Sequence, residues 1–154
     1  MTQSKTVFIL EDDEMIRGSV VSALNNAGFE TCCYSNEVDF RSALAEPNTS
    51  PNVIILDIMA PIGRLTKDSY ERTKAHYANL GDELPPAKKT GLRIAHDIKT
   101  SDQFIGLKGT PIVIYSILKE DSFREEASNL GIVYFVKGEN ELQDLVNHVI
   151  KVAL

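Results

Sequence analysis

Five short runs of branched apolar residues, each followed by a segment of helical period, constrain this chain more than any other feature of its sequence. Thr6 to Leu10 (TVFIL) reads as a strand, and the helix after it carries Met15, Ile16, Val20, Ala23, Leu24 and Ala27 at helical spacing up to a stop at Gly28. Phe29 to Tyr34 is a second strand, after which Ser35 or Asn36 caps a helix with Val38, Phe40, Ala43 and Leu44 inward and Pro47 at its end. Asn52 to Asp57 (NVIILD), Pro111 to Ser116 (PIVIYS) and Val133 to Val136 read as strands three to five. Their helices run from Gly91 to Lys99 with Leu92, Ala95 and Ile98 inward, from Glu120 to Leu130 with Gly131 as the stop, and along the stripe Leu142, Leu145, Val146, Val149 and Ile150. Apolar strands joined by helices must be covered on both faces, because right-handed crossovers place helices on each side of a parallel sheet. The expected fold class is therefore α/β, a doubly wound five-stranded parallel sheet.

The 154 residues suit one domain, and 43% apolar with 25% charged residues is a globular composition. A net charge of -6 disfavours binding to nucleic acid or an anionic membrane, and no apolar run is long enough to span a bilayer. Met1 to Lys5 lacks the apolar stretch of a secretory leader, so a cytoplasmic location is expected. Cys32 and Cys33 are adjacent in a strand, point to opposite faces and read as reduced packing residues. The histidines, His76, His96 and His148, are too scattered to complete a zinc site with them. One stretch breaks the alternation. Residues 62–90 are polar, include Pro85 and Pro86, and read as an insertion in which Tyr70, Tyr77, Leu80 and Leu84 share one face of a short amphipathic helix, with a mobile loop as the alternative.

Ligands of open α/β sheets bind beyond the carboxyl ends of the strands. Strand one ends in Glu11, Asp12, Asp13 and Glu14, strand three in Asp57, strand four in Ser116 and strand five in Lys137. Singly, each has an ordinary explanation: acids open a helix favourably, a serine bonds local backbone, and a lysine is solvated. If the strands lie side by side, however, all four groups border one crevice. Clustered carboxylates repel one another unless a cation joins them, and hard oxygen ligands suit Mg²⁺ or Mn²⁺. With that charge offset, Asp57 becomes a nucleophile toward a phosphoryl group, and the product is an acyl phosphate.

The blocks FILEDDEMIR, NVIILDIMAP, TPIVIYS and VYFVKG, in this order, resemble the four blocks of the response-regulator receiver domain across nearly the whole chain. The resemblance implies the flavodoxin-like strand order 2-1-3-4-5, a single receiver domain over residues 1–154, and the insertion at 62–90. It implies Glu11 and Asp12 as the metal-binding acid pair, Asp57 as phosphoacceptor and metal ligand, and the backbone carbonyl of Met59 as a further ligand. Ser116 takes the switch-hydroxyl position, Tyr134 the switch aromatic, and Lys137 the lysine that contacts the phosphoryl group. The implied partners are a sensor histidine kinase or histidine phosphotransfer protein, and a downstream protein that reads helix four, strand five and helix five, or the insertion.

Three departures from the family pattern stand out. Ile117 replaces the usual small residue after the switch hydroxyl and is expected to cover part of the phosphoryl site. Gly138 follows Lys137 where the family carries a cis-proline, and because a non-proline cis bond costs roughly 2.5–4 kcal/mol, another loop path is expected. The insertion begins beside Asp57, as a tolerated elaboration or as a partner surface or lid. No output domain is expected after the fifth helix. Two other functions compete: a degenerate receiver that works as a phosphorylation-independent interaction module, and an aspartyl-phosphate phosphatase, for which Met59 stands where a second acid is needed.

Overall fold

Alternation along the strands divides the core into two layers. The computed structural model describes residues 3–63 and 89–154. Its strands are β1 (Thr6–Leu10), β2 (Glu30–Tyr34), β3 (Val53–Leu56), β4 (Ile112–Ser116) and β5 (Val133–Val136). They form one sheet in the order β2-β1-β3-β4-β5, with every neighbouring pair parallel, as expected. Side chains two apart share a face, so Phe8, Leu10, Ile54, Leu56, Ile112 and Ile114 enter one layer. Val7, Ile9, Val53, Ile55 and Val113 enter the other.

The helices are α1 (Glu14–Asn26), α2 (Glu37–Leu44), α3 (Thr90–Thr100), α4 (Asp121–Asn129) and α5 (Leu142–Val152). Leu92, Ala95 and Ile98 of α3, with Phe40 of α2 and Phe123 of α4, fill the first layer; Val20 and Leu24 of α1, with Leu145, Val146 and Val149 of α5, fill the second. A short 3-10 turn over Asp102–Leu107 brings Phe104 and Leu107 under α3. Cys32 packs on the first layer while Cys33 is exposed, as opposite-facing neighbours must be. No helix among the described residues is long and apolar enough to cross a membrane.

Four residues expected inside are outside. Met15 is 84% exposed because the first turn of α1 lies beyond the end of β1, where no layer covers it, and Ala27 is exposed at the end of the same helix. Ile150 flanks the α5 stripe, which centres on Leu145, Val146 and Val149. Val38 is exposed while its neighbour Glu37 turns inward. The polar residue is buried there because two arginines meet it: Glu37 pairs with Arg41 at 2.8 Å and with Arg93 of α3 at 2.6 Å. Arg41 in turn reaches Asp97 of α3 at 2.7 Å, so an ionic seam ties α2 to α3.

The expected insertion leaves and re-enters this frame at anchored points. The carbonyls of Pro61 and Ile62 accept hydrogen bonds from the Glu37 and Val38 amides, 2.8 Å each. Thr90, expected in the insertion, is instead the first residue of α3. The expected helical face of Tyr70, Tyr77, Leu80 and Leu84 lies outside the described residues. Gly91 closes the far end against the chain at Asp57. A Cβ there would stand 2.5 Å from the Asp57 carbonyl oxygen and 3.0 Å from the Ile58 Cα, and only glycine permits that approach. We expect Gly91→Ala to force these segments apart and to cost about 1–3 kcal/mol in urea unfolding, the usual range for overpacking.

Candidate functional site

Backbone bonds carry the ladder one residue past the ends of the strands, and this places the chemistry. The Glu11 amide donates to Tyr34 O and the Asp57 amide to Leu10 O, each at 3.0 Å, while the Lys137 amide donates to Ser116 O at 2.9 Å. Glu11, Asp57 and Lys137 are thus held to the sheet by main chain rather than carried on free loops. Asp13 turns away to cap α1, accepting from the amides of Met15 and Ile16 at 2.9 and 3.0 Å, which fits a helix start. The Arg17 guanidinium, one turn into α1, donates to the Glu11 carbonyl at 3.0 Å and pins the acidic loop from behind.

Glu11, Asp12 and Asp57 each offer a carboxylate oxygen, and these lie within 4.8 Å of one another. Glu11 and Asp57 are buried, 3% and 6% exposed, and Asp12 stands at the open side. Among the described residues, one cation lies between these acids: the Lys137 ammonium bonds Glu11 Oε1 and stands 3.4 Å from Asp57 Oδ2. Burial, and then the Asp57 charge, push the Glu11 carboxyl up to about 8 against the partial relief of Lys137. Asp12 is raised for the same two reasons. Burial alone would lower Lys137, but Asp57 and Glu11 more than reverse it, and the ammonium is held above its ordinary range. Three carboxylate donors, with negative charge left over after Lys137 is counted, fit a hard divalent ion.

Ser116 is fully buried at the end of β4, and its hydroxyl accepts from the Leu118 amide at 3.3 Å. Tyr134 of β5 donates its hydroxyl to the Leu118 carbonyl at 2.7 Å; burial, eased by a hydrogen bond with Ser116, pushes that phenol up to about 12. The expected switch pair therefore meets at one turn of chain, Ser116 to Leu118. Arg124 of α4 lies over the Tyr134 ring at 5.9 Å and reaches Glu139 at 3.4 Å. Met59 sits beside Asp57, where its amide donates to Asp57 Oδ1 at 3.3 Å. Ile117 is 63% exposed.

After Lys137 the chain does take another path. No cis peptide bond occurs among the described residues, and Gly138 has φ of +87°, a region closed to proline. Arg17 and Gly91 were not singled out from sequence, since each acts on backbone rather than through a motif. Tyr115 was also missed. Its ring centroid lies 5.5 Å from the Lys137 ammonium, and the alternation of β4 was the available signal.

No family model matches this sequence, and no curated protein matches it. Solved structures do. A DNA-binding response regulator of the LuxR family from Staphylococcus aureus is 24% identical, with 97% of this chain and 99% of that chain covered and a TM-score of 0.69. A response regulator receiver domain protein from Methanospirillum hungatei is 15% identical over 98% of this chain and 94% of that one, with a TM-score of 0.69. A chemotaxis response regulator of Vibrio cholerae is 18% identical over 97% and 99%, with a TM-score of 0.67. With these likenesses spanning almost the whole chain, and with the strand order β2-β1-β3-β4-β5, the protein has the fold of the response-regulator receiver domains.

Proposed function

We propose that this chain is a response-regulator receiver that accepts a phosphoryl group on Asp57 from a histidine kinase or a histidine phosphotransfer protein. The observation that carries this reading is Lys137, fixed to the end of β5 and shared between Glu11 and Asp57 beside the acid cluster. An intact set of acids and lysine favours the acceptor over an interaction module that works without phosphorylation. Met59 stands where the phosphatase reading needs a second acid.

In the proposed transfer a carboxylate oxygen of Asp57 attacks phosphorus as the P–N bond of the phosphoimidazole breaks. The electron pair of that bond leaves with the imidazole nitrogen, and Asp57 becomes an acyl phosphate. Lys137 moves its contact from carboxylate to phosphoryl oxygen and offsets the added charge. Glu11, Asp12 and Asp57, with the Met59 carbonyl, would hold Mg²⁺ or Mn²⁺. That ion, when bound, supplies positive charge against the repulsion of the acids and of the incoming phosphoryl group. Ser116 gives up the Leu118 amide and donates to a phosphoryl oxygen, and Tyr134 loses its anchor on the same turn. The surface of α4, β5 and α5 then changes, and a partner protein reads it. The chain acts in the cytoplasm as an acceptor that catalyses its own phosphorylation and its own dephosphorylation, in which water attacks phosphorus, the bond to the Asp57 carboxylate breaks and inorganic phosphate leaves, rather than as an enzyme acting on a separate substrate.

Incubation with acetyl phosphate and Mg²⁺, followed by intact-mass measurement, tests the chemistry. One added phosphoryl group is expected on the protein and none on Asp57→Asn, and Lys137→Ala is expected to slow labelling about a hundredfold, as loss of one charge-stabilising donor does. An unlabelled native protein would refute the reading.

The acid cluster also sets a pH dependence. Between the ordinary 4.5 and about 8, the folded state keeps a proton on Glu11 that the unfolded chain has lost. Folding stability therefore falls as pH rises through that window. Lys137, raised above 10.5, stays charged throughout and adds no slope there. Denaturation at pH 5 and pH 8 is expected to show this fall, a smaller one in Glu11→Gln, and a smaller one again when millimolar Mg²⁺ is present, because ion and proton compete for the same oxygens.

A further inference from the structure

One residue of β4 that the site description leaves without a task, Tyr115, stands beside the Lys137 ammonium. In β4, Ile112 and Ile114 face one layer, while Val113 and Tyr115 face the other. Tyr115 pairs in register with Phe135, and Lys137 is two residues beyond Phe135, so Lys137 and Tyr115 leave the sheet on the same face as diagonal neighbours. The Lys137 side chain is 11% exposed, and its ammonium meets Glu11, Asp57 at 3.4 Å and the Tyr115 ring with its centroid at 5.5 Å. That separation lies within the range in which the negative face of an aromatic ring attracts a cation.

The ring differs in kind from the other two contacts. Both carboxylates are the groups that a divalent ion would engage, and once engaged, before a phosphoryl oxygen reaches the lysine, they attract Lys137 less. A lysine ammonium rides on four flexible carbons and is strongly hydrated, so without another hold it swings to solvent. An aromatic face is neither a ligand for a hard ion nor a nucleophile, and its attraction survives the change.

We propose that Tyr115 is a positioning residue for Lys137: its ring backs the ammonium and keeps it aimed into the acid pocket when Glu11 and Asp57 are engaged elsewhere. The proposal rests on the receiver reading for its consequence, and on the contact between ring and ammonium for its cause. The phenol hydroxyl is not required, and phenylalanine supplies the same face. Loss of the face is expected to slow labelling of Asp57 by about five- to tenfold, with the half-saturating phosphodonor concentration little changed.

The test combines two measurements on the full chain. The first is the ¹H NMR position of the Lys137 ε-methylene, assigned by its loss in Lys137→Ala, with and without Mg²⁺. Ring current is expected to shift it upfield in the native protein and in Tyr115→Phe, in both conditions, and to leave it at the ordinary lysine position in Tyr115→Leu. The second is the rate of acetyl phosphate labelling in the same proteins, with folding checked by circular dichroism. Tyr115→Leu is expected to be slow, Tyr115→Phe to restore the native rate, and Tyr115→Leu to add nothing in a Lys137→Ala background, since residues acting through one another are not additive. An unshifted methylene in the native protein overturns the proposal. So does a full rate in Tyr115→Leu, a slow rate in Tyr115→Phe, or a further loss in the Lys137→Ala background. Failure of the native protein to be labelled at all overturns the receiver reading and, with it, the role assigned here; the other outcomes overturn the role of Tyr115 alone.

Discussion

Everything at the carboxyl edge of the sheet depends on one ammonium held among carboxylates. Glu11, Asp12 and Asp57 present oxygens within 4.8 Å of one another, an arrangement that like charges resist in a partly desolvated hollow. Lys137 makes the arrangement tenable by bonding Glu11 and standing 3.4 Å from Asp57, yet it leaves the cluster with excess negative charge. Burial first, and then the Asp57 charge, hold the Glu11 carboxyl well above the ordinary carboxylate range. A site in this condition is receptive to positive charge, and under the proposed function an arriving phosphoryl group would meet a lysine already in place.

The backbone supplies the rigidity this electrostatic balance needs. Glu11, Asp57 and Lys137 are each bonded to a neighbouring strand at the first residue beyond the ladder, so their Cα positions follow the sheet. On the other side of Asp57, Gly91 packs against the main chain and fixes the start of α3. The Pro61 and Ile62 carbonyls are bonded to α2, and Glu37, Arg41, Arg93 and Asp97 join α2 to α3. A long connection is accommodated next to Asp57 because the chain is secured on both sides of it. Loop length carries a small entropic cost when the anchors are this firm.

The elements were legible because period and composition agree in them. The runs TVFIL, VIIL and IVIYS carry branched residues that favour strands, and the helices between them repeat their apolar positions at 3.6. Errors arose where a helix passes the edge of its layer. Met15 is apolar at the right spacing, but the sheet beneath it has ended. Glu37 is polar at an inward position, and its burial is made tenable by Arg41 one turn on and by Arg93 from a helix 56 residues away. The acids and Lys137 were legible as strand ends. Arg17, Gly91 and Tyr115 were not, since a guanidinium on a carbonyl, a missing Cβ and a ring face leave no motif.

Sequence by itself determined the fold class and the inventory of chemical groups, because strand and helix periodicity and the polarity of strand ends are local properties, readable a few residues at a time. Which of those groups meet is not local. The order of strands set Lys137 beside Glu11, 126 residues earlier in the chain, and the register of β4 with β5 set Tyr115 against the same ammonium. Whether a carboxyl is strained, a lysine held or a glycine indispensable depends on neighbours that only the folded chain brings together, since charge repulsion, desolvation and steric contact act through space and not along the sequence.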